Sequence, residues 1–114
     1  MAEHFYDPTD RAFTRVYKEE TPDILAAFAA FDGAVFAAEG RAIPLKYREL
    51  IALAVALSTQ CVYCIEAHAT KAKNAGASQT EIAEASWVAA ALKAGGAFAH
   101  GRLGFKFTAD HDAH

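Results

Sequence analysis

The sequence predicts an all-helical subunit of five or six helices. About a quarter of its 114 residues are alanine, which has the highest helix propensity of any residue. Almost no segment shows the β-branched alternation that strands require. Residues typical of helix caps also recur between the apolar segments, so the helix boundaries can be assigned one by one.

The N-terminal part of the chain contains two predicted helices. Thr9 is a candidate cap for the first, which we expect to run through about Glu20. A threonine–proline pair at positions 21–22 then supplies a cap and an N1 proline. The second helix is predicted at residues 23–39, with Gly40 ending it.

Two further helices are predicted in the middle of the chain. Pro44 can open the third, which contains the continuous apolar stretch at residues 50–57. A helix that is apolar on every side is expected to be buried. The polar residues 58–60 offer caps for a fourth helix, which carries both cysteines and ends at Gly76, a favoured C′ residue.

Ser78 and Glu81 have the spacing of a capping box and predict a fifth helix through Trp87 and Leu92. The glycine pair at 95–96 is expected to end or kink this helix, although residues 97–100 can continue it for another turn. Beyond it, residues 105–107 are ambiguous, and residues 108–114 are predicted to form a solvated tail.

Length and composition limit the organisation of the protein. A chain of 114 residues has the usual size of one compact domain, so we expect a single domain over residues 1–114. Its hydrophobic content of 54% is high for a small monomer. The excess must pack inside or be covered by another subunit, which predicts a homo-oligomer.

Charge and hydropathy argue against two classes of partner. The formal net charge of -3, with acidic and basic residues interspersed, provides no basic stripe for a nucleic acid. No apolar run approaches the roughly 20 residues of a membrane span, and residues 1–5 lack a signal pattern. We therefore expect a cytoplasmic protein that binds neither nucleic acid nor membrane.

Both cysteines lie in the segment Cys61-x-x-Cys64-x-x-x-His68. Residues three, four and seven apart share one face of a helix, so these three side chains fall within a wedge of roughly 60°. Two cysteines so close in sequence constrain an unfolded chain little, and in a reducing compartment such a pair is typical of catalysis or metal binding. With a histidine to move protons, the pattern predicts a redox dithiol.

Glu49 precedes Cys61 by twelve residues, a separation of about 18 Å on one unbroken helix. A chain reversal near residues 58–60 would instead place Glu49 level with His68 in an antiparallel helix pair. The carboxylate would then face the imidazole beneath the dithiol. A helix N-terminus favours the Cys61 thiolate, whereas His68 is best placed to deprotonate Cys64, so both assignments of the attacking thiol stay open.

Two other interpretations of this cluster require comparison. Free cysteine packs well as a small hydrophobic residue, so the pair could belong to the core. A zinc site could use Cys61, Cys64 and His68, with Glu49 or His100 as the fourth ligand. Only three clear ligands cluster, whereas structural zinc sites close with four, and a cap or packing role suits His100 better. We favour the redox dithiol.

The spacing of Glu49, eleven residues, and then Cys61-x-x-Cys64-x-x-x-His68 resembles the signature of the AhpD-like alkyl hydroperoxidases, within the carboxymuconolactone decarboxylase superfamily. The resemblance covers about residues 28–101. It includes the apolar stretch at 50–57 before the motif. After the motif it includes the sequence at 75–78, Ala-Gly-Ala-Ser, and the Glu-Ile pair at 81–82.

The resemblance implies an all-helical AhpD-like subunit that assembles as a homotrimer or homohexamer. It implies that Cys64 is the peroxidatic thiol, Cys61 the resolving thiol, and Glu49 with His68 a proton relay. The substrate would be a small hydroperoxide and the electron donor a protein or small-molecule dithiol, with no cofactor or metal. Tyr63 stands where the peroxidase branch often has a histidine, which implies a shorter relay and a modest peroxidase rate.

Two further functions remain as alternatives. In the decarboxylase branch of the superfamily, Glu49 and His68 would transfer protons on a lactone acid, and the dithiol would be incidental. The CxxC motif argues against this branch, because that chemistry needs no thiol. The other alternative is a non-enzymatic thiol switch or metal-binding scaffold.

Overall fold

Five α-helices and one short 3-10 helix form the described part of the chain, residues 7–110 in a computed structural model. The elements are a 3-10 helix at Pro8–Phe13, α1 at Thr14–Glu20, α2 at Pro22–Val35, α3 at Leu45–Thr59, α4 at Val62–Asn74 and α5 at Gln79–Thr108. No strand occurs between residues 7 and 110, and the all-helical prediction is confirmed.

Helix α3 is the centre of the fold, with α4 packed along one side and α5 along another. The buried hydrophobic residues of the described part are few, two leucines and four alanines: Leu50, Leu53, Ala56, Ala72, Ala77 and Ala89. Alanines at the contacts let the helices approach closely. Two polar contacts tie α5 to the two ends of α3: Lys46 pairs with Glu81 (3.0 Å), and Lys93 donates to the Ser58 carbonyl (2.9 Å).

The chain reverses between α3 and α4 at Gln60, whose φ of 58° lies in the left-handed region. The Cys61 N–H closes α3 by donating to the Ala56 carbonyl (3.0 Å), and the Cys61 sulfur accepts from the Cys64 N–H at the start of α4 (3.3 Å). The reversal occurs where the sequence predicts it, but the predicted caps at 58–60 are wrong. The Thr59 hydroxyl donates back to the Val55 carbonyl (3.0 Å), so Cys61 itself caps α4.

Helix α4 ends as predicted, with Gly76 at C′ and a φ of 101°. The Ala77 N–H donates to the Ala72 carbonyl (2.9 Å) and the Gly76 N–H donates to the Lys73 carbonyl (3.0 Å), which is the pattern of a Schellman motif. The predicted capping box then opens α5 with reciprocal bonds between residues 78 and 81 (2.8 and 3.0 Å).

Helix α2 ends at Val35, four residues before the predicted end at Glu39. The cause is a pair of arginines from later in the chain. Arg41 donates to the Ala34 carbonyl (2.9 Å) and Arg48 to the Val35 carbonyl (2.7 Å), and these bonds satisfy acceptors that a longer helix would have used. Gly40, with a φ of 83°, therefore lies in the loop before α3 and not at a helix end.

The N-terminal helix differs from the prediction in its cap and its type. Asp7, not Thr9, is the N-cap, and it accepts from the Thr9 N–H (2.9 Å). The first segment is a 3-10 helix that leads into α1. Thr21 precedes Pro22 at the start of α2 as predicted, but its hydroxyl donates back to the Tyr17 carbonyl (3.1 Å) and does not cap α2.

The glycine pair at 95–96 does not end α5, which continues to Thr108 and includes the ambiguous segment 105–107. Glycine weakens a helix by about 1 kcal/mol relative to alanine but keeps its N–H, and strong helix formers flank the pair. Of the predicted tail, Thr108 belongs to α5 and residues 111–114 lie outside the described residues. The N-terminal segment interpreted as lacking a signal pattern, residues 1–5, also lies outside them.

Much apolar surface remains uncovered in the subunit. Ile51 and Val55 of α3 are half exposed, so the expectation that this helix is buried on every side is wrong for the isolated chain. The accessible surface is 9007 Å², against roughly 6,000 Å² for a folded monomer of this mass. None of the helices within residues 7–110 combines the length and apolar content needed to cross a bilayer.

Candidate functional site

The predicted site residues meet where α3 and α4 pack together. Glu49 comes from α3, His68 comes from α4, and the two cysteines form the start of α4. Cys61 and Cys64 are joined in a disulfide. His68 follows Cys64 by four residues on the same helix, so both lie on one face of α4.

Local backbone structure positions the disulfide. Cys61 has extended dihedrals (φ -92°, ψ 99°) as the N-cap of α4, and Cys64 lies in the first turn. This geometry brings the two sulfurs together with the Cys64 N–H pointing at the Cys61 sulfur. Unpaired N–H groups and the helix dipole at this end favour a negative charge, so reduction would leave a thiolate in a favourable position. Both cysteines are half-buried.

A short hydrogen bond joins the Glu49 Oε1 atom to the His68 Nδ1 atom (2.6 Å). Glu49 is only 2% exposed, and a carboxylate at that depth requires a polar partner. When the Glu49 carboxylate is ionised it can only accept, and Nδ1 of His68 is then the donor. In the neutral imidazole the lone pair then lies on Nε2, the nitrogen free to take a proton from another group.

Phe36 is a member of the site that sequence reasoning missed. Its ring lies against the imidazole of His68, with 4.8 Å between the ring centroids and a tilt of 32°. Phe36 is the C-cap residue of α2, so the early end of α2 places it there. No local signal in the sequence links Phe36 to His68, because the contact joins two helices that are far apart along the chain.

Two concave regions flank α4. A small cavity of about 320 Å³ reaches Glu49 and is lined by Phe36, Leu45 and Lys71, among others. A larger groove of about 950 Å³ runs between α4 and the N-terminal helices and includes Tyr63 and Tyr17. Among the described residues, neither cysteine nor His68 lines either region.

The structure also describes Tyr63, the residue between the cysteines, and His100, for which the sequence favours a cap or packing role. The Tyr63 hydroxyl donates to Asp10 of the 3-10 helix (2.9 Å), beside an ion pair of Arg11 with Glu66 (3.2 Å). Glu66 is half-buried in this ion pair. His100 is exposed on α5. Within residues 7–110 no group of three or more His, Cys, Asp or Glu side chains is arranged to hold a metal ion.

Comparisons with known proteins identify relatives of this chain. Residues 22–105 match the model of the carboxymuconolactone decarboxylase family. The chain is 49% identical over 74 residues to a Paracoccus denitrificans protein described as "Uncharacterized protein 4 in cox locus". It is 50% identical over 54 residues to a Haemophilus influenzae protein described as "Uncharacterized protein".

The extent of these matches differs between relatives. The Paracoccus match covers 65% of this chain and 65% of that protein. The Haemophilus match covers 47% of this chain and 46% of that protein. A crystal structure of a protein from Methanobacterium thermoautotrophicum is 32% identical, with a TM-score of 0.68, and the match covers 76% of this chain and 98% of that one.

Proposed function

The chain belongs to the carboxymuconolactone decarboxylase family, and we propose that within it this protein is an AhpD-like, thiol-dependent peroxidase or disulfide oxidoreductase. The observation that carries the proposal is a disulfide at a helix start, followed four residues later by a histidine that a buried glutamate holds. A core pair of cysteines would need neither the histidine nor the buried carboxylate.

In the proposed cycle, Cys64 is the attacking thiol and His68 its base. Glu49 accepts a hydrogen bond from the Nδ1–H of His68, which leaves Nε2 to take the proton from the Cys64 thiol. The thiolate attacks the terminal oxygen of a hydroperoxide and breaks the O–O bond. The departing alkoxide takes the proton from the imidazolium and leaves as an alcohol, and Cys64 becomes a sulfenic acid.

Cys61 then resolves the sulfenic acid. Its thiol attacks the Cys64 sulfur, water leaves, and the disulfide forms. A dithiol donor reduces this bond through a mixed disulfide and is itself oxidised. The donor class is a protein or a small-molecule dithiol, and we propose no cofactor or metal for the cycle.

The surroundings of the relay support its role. The Phe36 ring and the packing of α3 leave the His68 side chain 15% exposed, which limits competition from water for its hydrogen bonds. The small cavity of about 320 Å³ reaches Glu49, which is itself only 2% exposed.

The remaining expectations extend the same proposal to the whole protein. We propose a single cytoplasmic domain that acts on a small hydroperoxide and assembles as a homotrimer or homohexamer. The uncovered apolar surface of the subunit supports assembly. Tyr63 lies between the cysteines with its hydroxyl committed to Asp10, which suits a relay of Glu49 and His68 without a third member.

The test is an intact-mass measurement on reduced protein treated with one equivalent of tert-butyl hydroperoxide. The native chain should lose two hydrogens. Cys61→Ser should instead give a sulfenic acid that dimedone traps at Cys64, and Cys64→Ser should keep its remaining thiol. Thiols that survive the hydroperoxide but react with oxidised glutathione would restrict the activity to disulfide exchange. Thiols inert to both reagents would refute the proposal.

A second candidate function rests on the pair of Glu49 and His68 alone. A buried carboxylate bonded to an imidazole is also suited to proton transfer on a lactone acid, the chemistry for which the family is named. This function predicts that a variant with both cysteines replaced by serine keeps full activity on a lactone acid substrate. The redox proposal predicts that the same variant has no activity on hydroperoxides.

A further inference from the structure

Helix α2 carries an apolar stripe that no other element within residues 7–110 covers. Its members are Ile24, Phe28, Phe31 and Val35, at intervals of four, three and four residues. Their exposed fractions run from 40% to 66%. Such spacing keeps the side chains on one seam that faces a partner helix. We call this set the α2 stripe.

Helix α5 carries a second uncovered stripe with the same periodicity. It consists of Trp87, Ala91, Ala94, Phe98, Gly101 and Phe105. All six residues are exposed, and the three aromatic side chains are 74–77% exposed. This set, the α5 stripe, extends well past Lys93, the residue that ties α5 to the end of α3.

The two stripes complement each other in shape. The α2 stripe presents only large side chains, whereas the α5 stripe has alanine or glycine between its aromatic residues, which leaves holes for knobs. Gly101 supports this interpretation. A Cβ at Gly101, as at the other glycines of α5, would meet nothing within 4 Å among the described residues, and glycine weakens a helix interior relative to alanine. The close approach of another helix would account for it.

The two helices that carry the stripes also differ in charge. Helix α2 contains Asp23 and Asp32 and no lysine or arginine. Residues 85–108 of α5 contain Lys93, Arg102 and Lys106 and neither aspartate nor glutamate. Pairing α2 with α5 brings opposite charges together, whereas pairing two α2 helices or two α5 segments brings like charges together.

We propose that the α2 stripe of one subunit packs into the α5 stripe of a second copy of this chain. The five aromatic side chains of the two stripes offer on the order of 500–900 Å² of exposed surface, about half of a standard interface of about 1,600 Å² before the smaller residues are counted. A contact between two different surfaces repeats from one copy to the next, and it forms a closed ring when the rotation between copies closes. The contact is independent of the proposed redox chemistry.

The same contact would brace the site. In the subunit α2 packs on α1, and its C-terminal end carries Phe36, which lies against His68. A second copy seated on the α2 stripe would hold this helix from outside, so that Phe36 keeps its place on the imidazole.

The first test compares two phenylalanines of α5. Phe105 lies in the α5 stripe and is 77% exposed, and Phe107 lies on the opposite face and is 76% exposed. Light scattering on the native protein should give a multiple of the 12.2 kDa subunit mass. Phe105→Glu should lower that mass and Phe107→Glu should not. A monomeric native protein, or equal masses for the two variants, would overturn the proposal.

The second test reverses charges across the contact. Asp32 follows Phe28 by four residues and Arg102 follows Phe98 by four, so each flanks its stripe. Asp32→Arg and Arg102→Glu should each lower the mass of the assembly, and the double variant should restore it. A double variant no larger than the single variants would overturn the pairing of α2 with α5, even if the native protein is an oligomer. Circular dichroism checks that each variant keeps its helices.

Discussion

Replacing Glu49 by glutamine should slow oxidation of the dithiol by about 10- to 150-fold. The bond from His68 Nδ1 to Glu49 Oε1 is 2.6 Å long and joins side chains that are 15% and 3% exposed. Hydrogen bonds to a charged group are worth about 1.5–3 kcal/mol, and each 1.36 kcal/mol in a barrier corresponds to a tenfold change in rate. Glutamine has the same length, and its carbonyl can still accept from Nδ1, so the variant should remain folded.

The assay follows thiol loss in reduced protein with excess tert-butyl hydroperoxide at neutral pH, and urea unfolding checks the fold. Glu66→Gln is the matched control, since this carboxylate on α4 pairs with Arg11 near the protein surface. The control should oxidise at the native rate. The reasoning fails if Glu49→Gln is folded and as fast as the native protein, or if both variants slow equally.

Three further predictions concern the helices. Under reducing conditions Cys61→Ala should be about 0.5–2 kcal/mol less stable in urea than Cys61→Ser, because only serine keeps an acceptor for the first-turn N–H of α4; equal stabilities would contradict the capping role. Hydrogen bonds from the Ser78 N–H, and then from Lys46, hold the pKa of Glu81 below its ordinary value of 4.5. The stability that the Glu81 carboxylate contributes is therefore complete above pH 4.5, and it is lost as the pH falls through the lower pKa of the folded state. Glu81→Gln should therefore lower the melting temperature at neutral pH and have little effect in strong acid, whereas a pH-independent effect would exclude this account. Gly96→Ala should raise the melting temperature, because alanine stabilises a helix relative to glycine. Gly101→Ala, which fills the α5 stripe, should lower the assembled mass seen by light scattering. If the two variants had the same melting temperature and the same assembled mass, a packed stripe would be contradicted.

Features set by a few neighbouring residues were predictable from the sequence. The capping box at the start of α5 and the glycine C-cap of α4 depend on residues at most five positions apart, and both occur where the sequence predicts them. The position of Glu49 beside His68 in the pair of α3 and α4 was also predictable, because one tight reversal at Gln60 relates the two helices and leaves little freedom in their register.

Features that depend on distant partners were not predictable. Helix α2 ends early because Arg41 and Arg48 take its last carbonyls, and nothing within the helix announces this. Phe36 reaches His68 only because α2 ends there. The glycine pair at 95–96 is a different case, because α5 runs through it between strong helix formers.

The amino-acid order alone determined that the chain forms helices, where most of them begin, and that Cys64 and His68 share one helix face. Helical hydrogen bonds and caps join residues a few positions apart, so these features depend only on the local sequence. Tertiary structure decided that Cys61 caps α4, that Phe36 covers His68, and that the α2 and α5 stripes stay exposed. Side-chain packing joins residues at any separation along the chain, and the identity of an apolar side chain does not specify which surface covers it.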